Sequence, residues 1–148
     1  MPFDSDRTHP RRIRAFGLAA VVVVVVGVTV TAACDSGTPT IAVGRSYVDL
    51  GEIEPRPVEA DVGVANLGRG TLRILGVATS CGCTRAWMSD SVLTAGGAAT
   101  LTVRYDPTAM TPADSGVIHR AIYLQSNDPR RPEVQVDFYA VVRAPGSP

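Results

Sequence analysis

The sequence predicts an all-β fold, an antiparallel β-sandwich of seven or eight strands that follows an N-terminal hydrophobic segment. Apolar and polar residues alternate with a period of two over much of the chain, which is typical of half-buried strands. Turn-forming residues, including 14 glycines and 11 prolines, separate these runs. No long stretch has the 3.6-residue periodicity of an amphipathic helix, so the core is expected to form between sheets.

Composition narrows the possible classes of protein. With 148 residues, 45% hydrophobic and 19% charged, the chain is expected to fold as one domain and not to be disordered. Fourteen basic residues, all arginine, balance 14 acidic residues. Because neutralising phosphates requires a basic surplus, no nucleic-acid partner is predicted. Aromatic residues make up only 5%, so valine, isoleucine, leucine and alanine must build the core.

The N-terminus has the organisation of a bacterial lipoprotein signal peptide. Residues 1–14 carry four arginines, residues 15–33 form an apolar or weakly polar run, and Cys34 follows two alanines. Arginines remain on the cytoplasmic side while the apolar run enters the bilayer. The Cys34 thiol is therefore predicted to carry a diacylglyceryl group that anchors the protein in the membrane. Thr31 departs from the pattern, since an aliphatic residue usually stands three positions before the cysteine.

Two alternatives to lipidation stay open. The run at 15–33 is long enough to span a bilayer as an uncleaved anchor, and ordinary signal peptidase cleavage would give a soluble secreted protein. All three interpretations place residues 35–148 outside the cytoplasm, in a periplasm or at the cell surface. The predicted organisation is a signal peptide or anchor at 1–33, a tether at 34–40, a β-sandwich at 41–143 and a tail at 144–148.

Alternation identifies the strands one by one. It is clearest in three segments, Val58–Ala65, Ala99–Tyr105 and Val134–Val142. Weaker patterns predict five more strands at Ile41–Val43, Tyr47–Ile53, Leu72–Ala78, Ala86–Leu93 and Ile118–Gln125. Short strands at regular turn spacing over about 100 residues favour an immunoglobulin-like sandwich.

Several short patterns occur together in the same region. They are Asp49-Leu50-Gly51-Glu52-Ile53, Ala65-Asn66-Leu67-Gly68, Thr79-Ser80-Cys81-Gly82-Cys83-Thr84, Ala95-Gly96-Gly97, Tyr105-Asp106-Pro107 and Ser126-Asn127-Asp128-Pro129. Together they resemble the bacterial family called domain of unknown function 1573, which is similar to the Hydin-type immunoglobulin-like domains. The resemblance covers about residues 41–143. It implies an extracytoplasmic β-sandwich, often on a lipoprotein, and no known reaction.

Cys81 and Cys83 are the main candidates for chemistry. If Cys34 is lipidated, they are the remaining pair, and an oxidising compartment favours a disulfide. Three interpretations stay open: a structural disulfide or reduced pair in a turn, a redox-active dithiol, and a soft-metal site for copper(I) or zinc. Two thiolates are fewer than the four ligands of a structural zinc site. Nothing in the spacing brings further ligands, such as His119, Met88 or Met110, beside them.

The rest of the sequence contains no motif that indicates an enzyme or a cofactor site. The chain has no G-x-S-x-G or S-x-x-K motif and no glycine-rich loop that opens a helix. Trp87, the single tryptophan, is expected to pack at the edge of the core, and the alternative is that it offers a binding surface.

Two functional hypotheses follow. The first is a non-enzymatic, membrane-tethered immunoglobulin-like module that binds another extracytoplasmic protein or an envelope component through strand edges and loops. The second is thiol redox chemistry or copper or zinc handling through Cys81 and Cys83.

Overall fold

The computed structural model describes residues 37–144. The predicted signal segment, the lipidation site Cys34 and residues 145–148 lie outside the described residues, so the predictions made for them stay predictions. Within the described part every regular element is a strand, and none of it forms a helix long and apolar enough to cross a bilayer. The nine strands are β1 Ile41–Val43, β2 Tyr47–Ile53, β3 Val58–Asn66, β4 Leu72–Thr79, β5 Thr84–Met88, β6 Val92–Leu93, β7 Ala98–Tyr105, β8 Gly116–Ser126 and β9 Glu133–Val142.

Two sheets pack face to face and confirm the predicted all-β sandwich. The smaller sheet has the order β1-β3-β7-β5, and the larger has the order β2-β9-β8-β4-β6. All pairs in the smaller sheet are antiparallel. Each strand turns alternate residues inward, so the period-two pattern of the sequence becomes the two inner faces of one core.

Two details of the predicted sandwich were wrong. Strand β2 runs parallel to β9, whereas an antiparallel sandwich was predicted. Period-two alternation is the same in both directions, so the pattern carried no information on strand direction. The single strand predicted at Ala86–Leu93 is two strands, β5 and β6, which brings the count to nine. Asp90 breaks it, because its Oδ1 accepts a hydrogen bond from the Val92 backbone N–H at 2.8 Å and forms a local turn.

Branched aliphatic side chains fill the space between the sheets, as the composition required. Tyr105 and Phe138 are the largest fully buried side chains, and their ring centroids lie 5.3 Å apart. The aliphatic members of the core include Ile41, Val62, Val64, Leu72, Leu101, Ile122, Leu124, Val136 and Val142, each no more than 2% exposed. Burying such side chains contributes about 1.5–3 kcal/mol each before the entropy cost of folding is subtracted.

The two ends of the sandwich carry different loops. One end, called here the entry end, contains residues 37–40 and the loops 67–71, 94–97 and 127–132. The opposite end, called the distal end, contains the loops 80–83 and 106–115.

Residues 37–40, which belong to the segment predicted as a tether, lie against the domain. The Thr38 carbonyl accepts hydrogen bonds from the N–H groups of Arg69 at 3.1 Å and Gly70 at 3.3 Å, and the Leu67 N–H donates to the Thr40 carbonyl at 2.9 Å. A side chain on Gly68 would collide with the Thr38 carbonyl, so this close approach requires glycine. The N-terminal side of the described chain is therefore fixed to the entry end.

Asp128, in the loop between β8 and β9 of the larger sheet, joins segments of the entry end by hydrogen bonds. Its side chain is 1% exposed, and Oδ2 accepts a hydrogen bond from the Ile41 N–H at 2.9 Å. Oδ1 accepts from the N–H groups of Arg130 at 2.8 Å and Arg131 at 3.3 Å. Burial alone would raise the pKa of Asp128, but these hydrogen bonds outweigh it and hold the pKa below its ordinary value of 3.8.

We expect this carboxylate to make the domain acid-sensitive. A carboxyl group whose pKa is lower in the folded state stabilises the fold above the unfolded-state pKa, and that stabilisation is lost as the pH falls through the folded pKa. The free energy of unfolding should therefore decline below about pH 4. Asp128→Asn should lower stability by about 2 kcal/mol near neutral pH and flatten this decline, as measured by urea denaturation across the acid range.

The matched control is Asp49→Asn, since Asp49 is exposed and accepts one backbone hydrogen bond, from Gly51. It should leave the acid decline in place. An unchanged slope in Asp128→Asn would contradict the role given to Asp128.

Candidate functional site

The Cys81-Gly82-Cys83 sequence forms the turn between β4 and β5 at the distal end. A disulfide joins the two cysteines, whose Cα atoms lie 5.3 Å apart. Thr79 Oγ1 donates toward the carbonyls of Cys81 and Thr84, 3.1 Å from each, and so holds both sides of the turn. The pair predicted from the sequence is therefore brought together as a disulfide.

The two sulfurs have different surroundings. Cys83 is 3% exposed, while Cys81 is half-buried at the edge of the core. Arg120 Nε lies 3.4 Å from Cys83 Sγ and donates a hydrogen bond to it. The Thr84 hydroxyl lies 3.4 Å from Cys81 Sγ and 3.8 Å from Cys83 Sγ. The guanidinium therefore favours negative charge on Cys83 in particular.

Arg120 is held in place by a polar network. Its NH1 group donates to the His119 carbonyl at 2.9 Å, and its NH2 group donates to Asp114 Oδ2 at 2.8 Å. The Tyr105 hydroxyl donates to the same carboxylate oxygen at 2.8 Å. Burial, with the hydrogen bond to Asp114, raises the pKa of Tyr105 far above its ordinary value, so this phenol stays protonated and keeps donating.

A groove of about 580 Å³ begins at the disulfide turn and continues along the outer face of β5 and β7. Gly82, Cys83, Arg85, Trp87, Arg104, Asp106 and Ala109 line it. Trp87 is 44% exposed there, although the sequence interpretation expected it to pack at the core. That expectation was wrong, because Trp87 shares its strand face with the exposed Arg85 while Ala86 and Met88 turn inward.

The groove carries an unusual arrangement of charge. Arg85 and Arg104 stand directly opposite each other on neighbouring strands, a placement that is unfavourable for like charges. Arg104 has a partner, Glu59, with NH1 to Oε1 at 3.2 Å, whereas Arg85 makes no ion pair within residues 37–144. Hydrogen bonds from the Thr108 side chain and backbone lower the pKa of Asp106, which is the one carboxylate among the described residues that line the groove.

Strand β5 also presents an unpaired backbone edge. Among residues 37–144 it is the outermost strand of its sheet and pairs with β7 alone. The Cys83 carbonyl accepts from the Asp106 N–H at 2.9 Å, and the Ser89 N–H donates to the Thr100 carbonyl at 2.8 Å. Since bonded residues alternate along an antiparallel strand, Ala86 and Met88 direct their backbone groups away from β7.

The remaining candidate ligands do not join the cysteines. His119 lies on the outer face of the larger sheet, where Nε2 is 2.8 Å from Asp137 Oδ1 and the ring stacks on Tyr139 at 4.6 Å. Met88 packs against the core, whereas Met110 is exposed, close to Gly82. In the described part of the chain no three His, Cys, Asp or Glu side chains are grouped to hold a metal ion.

Two residues of this site, Arg120 and Asp114, were missed by sequence reasoning. The sequence did contain a signal for Arg120. Alternate residues of β8 face inward, and Ile118, Ile122 and Leu124 lie on the same face as Arg120, where a charged side chain is unexpected. Asp114 gave no such signal, since it lies in the irregular segment before β8.

Comparison with solved structures places the fold among similar sandwiches. A protein of unknown function from Porphyromonas gingivalis W83 is 25% identical with a TM-score of 0.65, over 70% of this chain and 47% of that one, so the present chain spans about half of its length. A PapD-like domain of human CEP192 is 10% identical with a TM-score of 0.54, over 70% of this chain and 86% of that one. The YadV chaperone is 11% identical with a TM-score of 0.54, over 73% of this chain and 54% of that one.

The likeness to the last two proteins concerns the fold alone. A search of curated proteins finds no match. Residues 41–142, nearly all of the described sandwich, match the family described as "Protein of unknown function (DUF1573)". The chain therefore belongs to the DUF1573 family.

Proposed function

We propose that this protein is a non-enzymatic, lipid-anchored extracytoplasmic module that binds a protein or envelope component in the groove beside Trp87. The observation that carries the proposal is the 44% exposure of this tryptophan in a groove of about 580 Å³. Exposed tryptophans in grooves are common anchors of protein–protein contacts.

The arrangement of the two ends supports a tethered role. Residues 37–40 are fixed to the entry end by backbone hydrogen bonds, and only two residues separate Gly37 from the predicted anchor at Cys34. The groove starts at the opposite, distal end. With Cys34 lipidated, the entry end faces the membrane, and the groove opens toward partners beyond it.

The edge of β5, beside the groove, suits an extended, acidic segment of a partner. The outward backbone groups of Ala86 and Met88 can pair with an added strand. A partner carboxylate beside Arg85 would offset the repulsion between the opposed guanidinium groups of Arg85 and Arg104. Trp87 would then cover the apolar part of that segment.

Replacing Trp87 tests the proposal directly. A photoreactive amino acid placed at position 87 of the full-length chain in its native membrane should crosslink one defined partner, which mass spectrometry identifies. With that partner purified, Trp87→Ala should weaken binding by about 30-fold, the loss typical of a dominant anchor. Arg85→Ala should weaken it by a smaller factor that shrinks as salt is added.

Val117 provides the matched control, because it is 81% exposed and lies on the larger sheet, away from the groove. The same photoreactive group at position 117 should give no crosslink to this partner, and Val117→Ser should bind normally. Equal crosslinking from both positions, or full affinity in Trp87→Ala, would overturn the proposed surface.

A further inference from the structure

The disulfide at the distal end is chemically asymmetric, and nothing in the binding proposal uses that asymmetry. Cys81 is the more exposed half of the pair, half-buried at the edge of the core, and Cys83 is the buried half at 3% exposure. A guanidinium touches the buried sulfur alone, with Arg120 Nε 3.4 Å from Cys83 Sγ. In thiol–disulfide exchange the attacked sulfur must be reachable, and the reaction is faster when the leaving sulfur is stabilised as a thiolate.

We infer that this disulfide captures the free thiol of a polypeptide partner by exchange at Cys81, with Cys83 leaving as a thiolate held by Arg120. The inference rests on the proposed binding function and gives the partner a reactive group, a cysteine at the Cys81-Gly82-Cys83 turn where the groove begins; Cys83 lines the groove, and Cys81 stands two residues before it. The exchange chemistry itself needs no docking, so it can be tested separately with a small thiol.

The exchange balances without an external oxidant or reductant. The partner thiolate attacks Cys81 Sγ, a bond forms between these two sulfurs, and the bond between Cys81 and Cys83 breaks. The electron pair of the broken bond stays on Cys83 Sγ, where it accepts the hydrogen bond from Arg120. In the reverse step the Cys83 thiolate attacks Cys81 Sγ and releases the partner's thiolate.

The hydrogen bonds around Arg120 hold its guanidinium beside Cys83 Sγ, where it can stabilise the leaving thiolate. Its NH1 group donates to the His119 carbonyl, its NH2 group donates to Asp114, and its Nε–H donates to Cys83 Sγ, so each of the three nitrogens has a partner. Asp114 is thus a positioning residue for Arg120. The Tyr105 hydroxyl donates to the same carboxylate oxygen and so partly offsets the negative charge of Asp114.

Stability alone does not require a charge at this position, although Arg120 pairs with Asp114. Arg120 shares the inward face of β8 with aliphatic residues, and its side chain is 23% exposed. Replacing a buried ion pair by well-packed apolar residues is often neutral or stabilising. A positioned cation beside a reactive sulfur is, by contrast, a recurring feature of low-pKa cysteines that take part in exchange.

The test uses the full-length protein in detergent, with reduced glutathione as the probe. After acid quenching, digestion at arginine gives one peptide, Ile74–Arg85, that contains both cysteines, and fragmentation across Gly82 assigns the mixed disulfide to one of them. We expect the adduct on Cys81. An adduct mainly on Cys83, an even distribution, or no adduct above that of an exposed model disulfide would overturn the inference.

Variants of the arginine test the stated cause. Arg120→Met should slow the exchange by about tenfold and spread the adduct over both cysteines, while Arg120→Lys should restore most of the Cys81 preference. The matched control Arg143→Met removes an arginine that is paired with Glu52 outside the groove and should leave both the rate and the position of the adduct unchanged. If Arg120→Met does not fold, the position of the adduct in the wild-type protein still decides the question. A normal rate and position in a folded Arg120→Met would refute the role of the guanidinium.

Discussion

Replacing Asn66 with alanine should lower the free energy of unfolding by about 3–4 kcal/mol, because one buried amide joins three loops at the entry end. Asn66 is fully buried. Its Nδ2, which carries two hydrogens, donates to the Gly70 carbonyl at 2.7 Å and shares its other hydrogen between the carbonyls of Leu93 at 3.0 Å and Thr94 at 3.1 Å. Its Oδ1 accepts from the N–H groups of Gly68 and Thr40, at 2.9 Å and 3.2 Å. Alanine would leave all five backbone groups without this partner.

Two further variants separate the hydrogen bonds from side-chain volume. Asn66→Asp keeps the size and the acceptor but sets a carboxylate against three carbonyl oxygens, so it should destabilise about as much as alanine. Asn127→Ala is the matched control, since Asn127 also bridges loops at the entry end but is exposed. It should cost about 1 kcal/mol or less in urea denaturation. A similar small loss for Asn66→Ala would contradict this account of the entry end.

Phe138→Ala should lower the free energy of unfolding by about 3–5 kcal/mol, the usual result of removing a large aromatic side chain from a core. Phe138 is 2% exposed on β9 and packs against the Tyr105 ring, so its removal leaves a void between the two sheets. The neighbouring side chains, Val48, Val103, Ile122 and Val136, belong to four different strands and cannot all move in to fill it.

Tyr139→Ala is the control, since Tyr139 is the next residue of the same strand and lies 40% exposed on the outer face. It should cost about 1 kcal/mol in the same denaturation measurement. Phe138→Leu should fall between the two variants. Equal losses for Phe138→Ala and Tyr139→Ala would mean that β9 does not turn Phe138 into the core.

The strands could be predicted because their signal is local. In β7, for example, Leu101, Val103 and Tyr105 face inward and alternate with Thr102 and Arg104, and the structure follows that alternation residue by residue. The direction of β2 could not be predicted, because its pairing with β9 joins residues about 90 positions apart and alternation is independent of direction.

The candidate site could be predicted only in part. The cysteine pair was visible from residue type and spacing, but the contact between Arg120 and Cys83 joins β8 to the turn between β4 and β5 and depends on the packed fold. The position of Trp87 was within reach of the sequence, since Arg85 has the same parity on β5 and marks that face as exposed. Tryptophan usually packs against a core, but the alternation of residues along β5 places Trp87 on the exposed face.

The role of Asn66 was hidden by its surroundings. The run Asn66-Leu67-Gly68-Arg69-Gly70 has the composition of an ordinary turn, and a turn asparagine is usually exposed. Burial came from the fold, because residues 37–40 and the loop at 94–97 close over it from two sides.

The measurement that tests the central claim most directly is the mass of the N-terminal peptide of the protein purified from its own membrane. Digestion at arginine should release residues 34–45 as a peptide that begins at Cys34 and carries the added mass of a diacylglyceryl group and acyl chain. This result would fix the entry end at the membrane and direct the Trp87 groove away from it. A peptide from an intact Met1 terminus, or an unmodified Cys34, would contradict the lipid-anchored account.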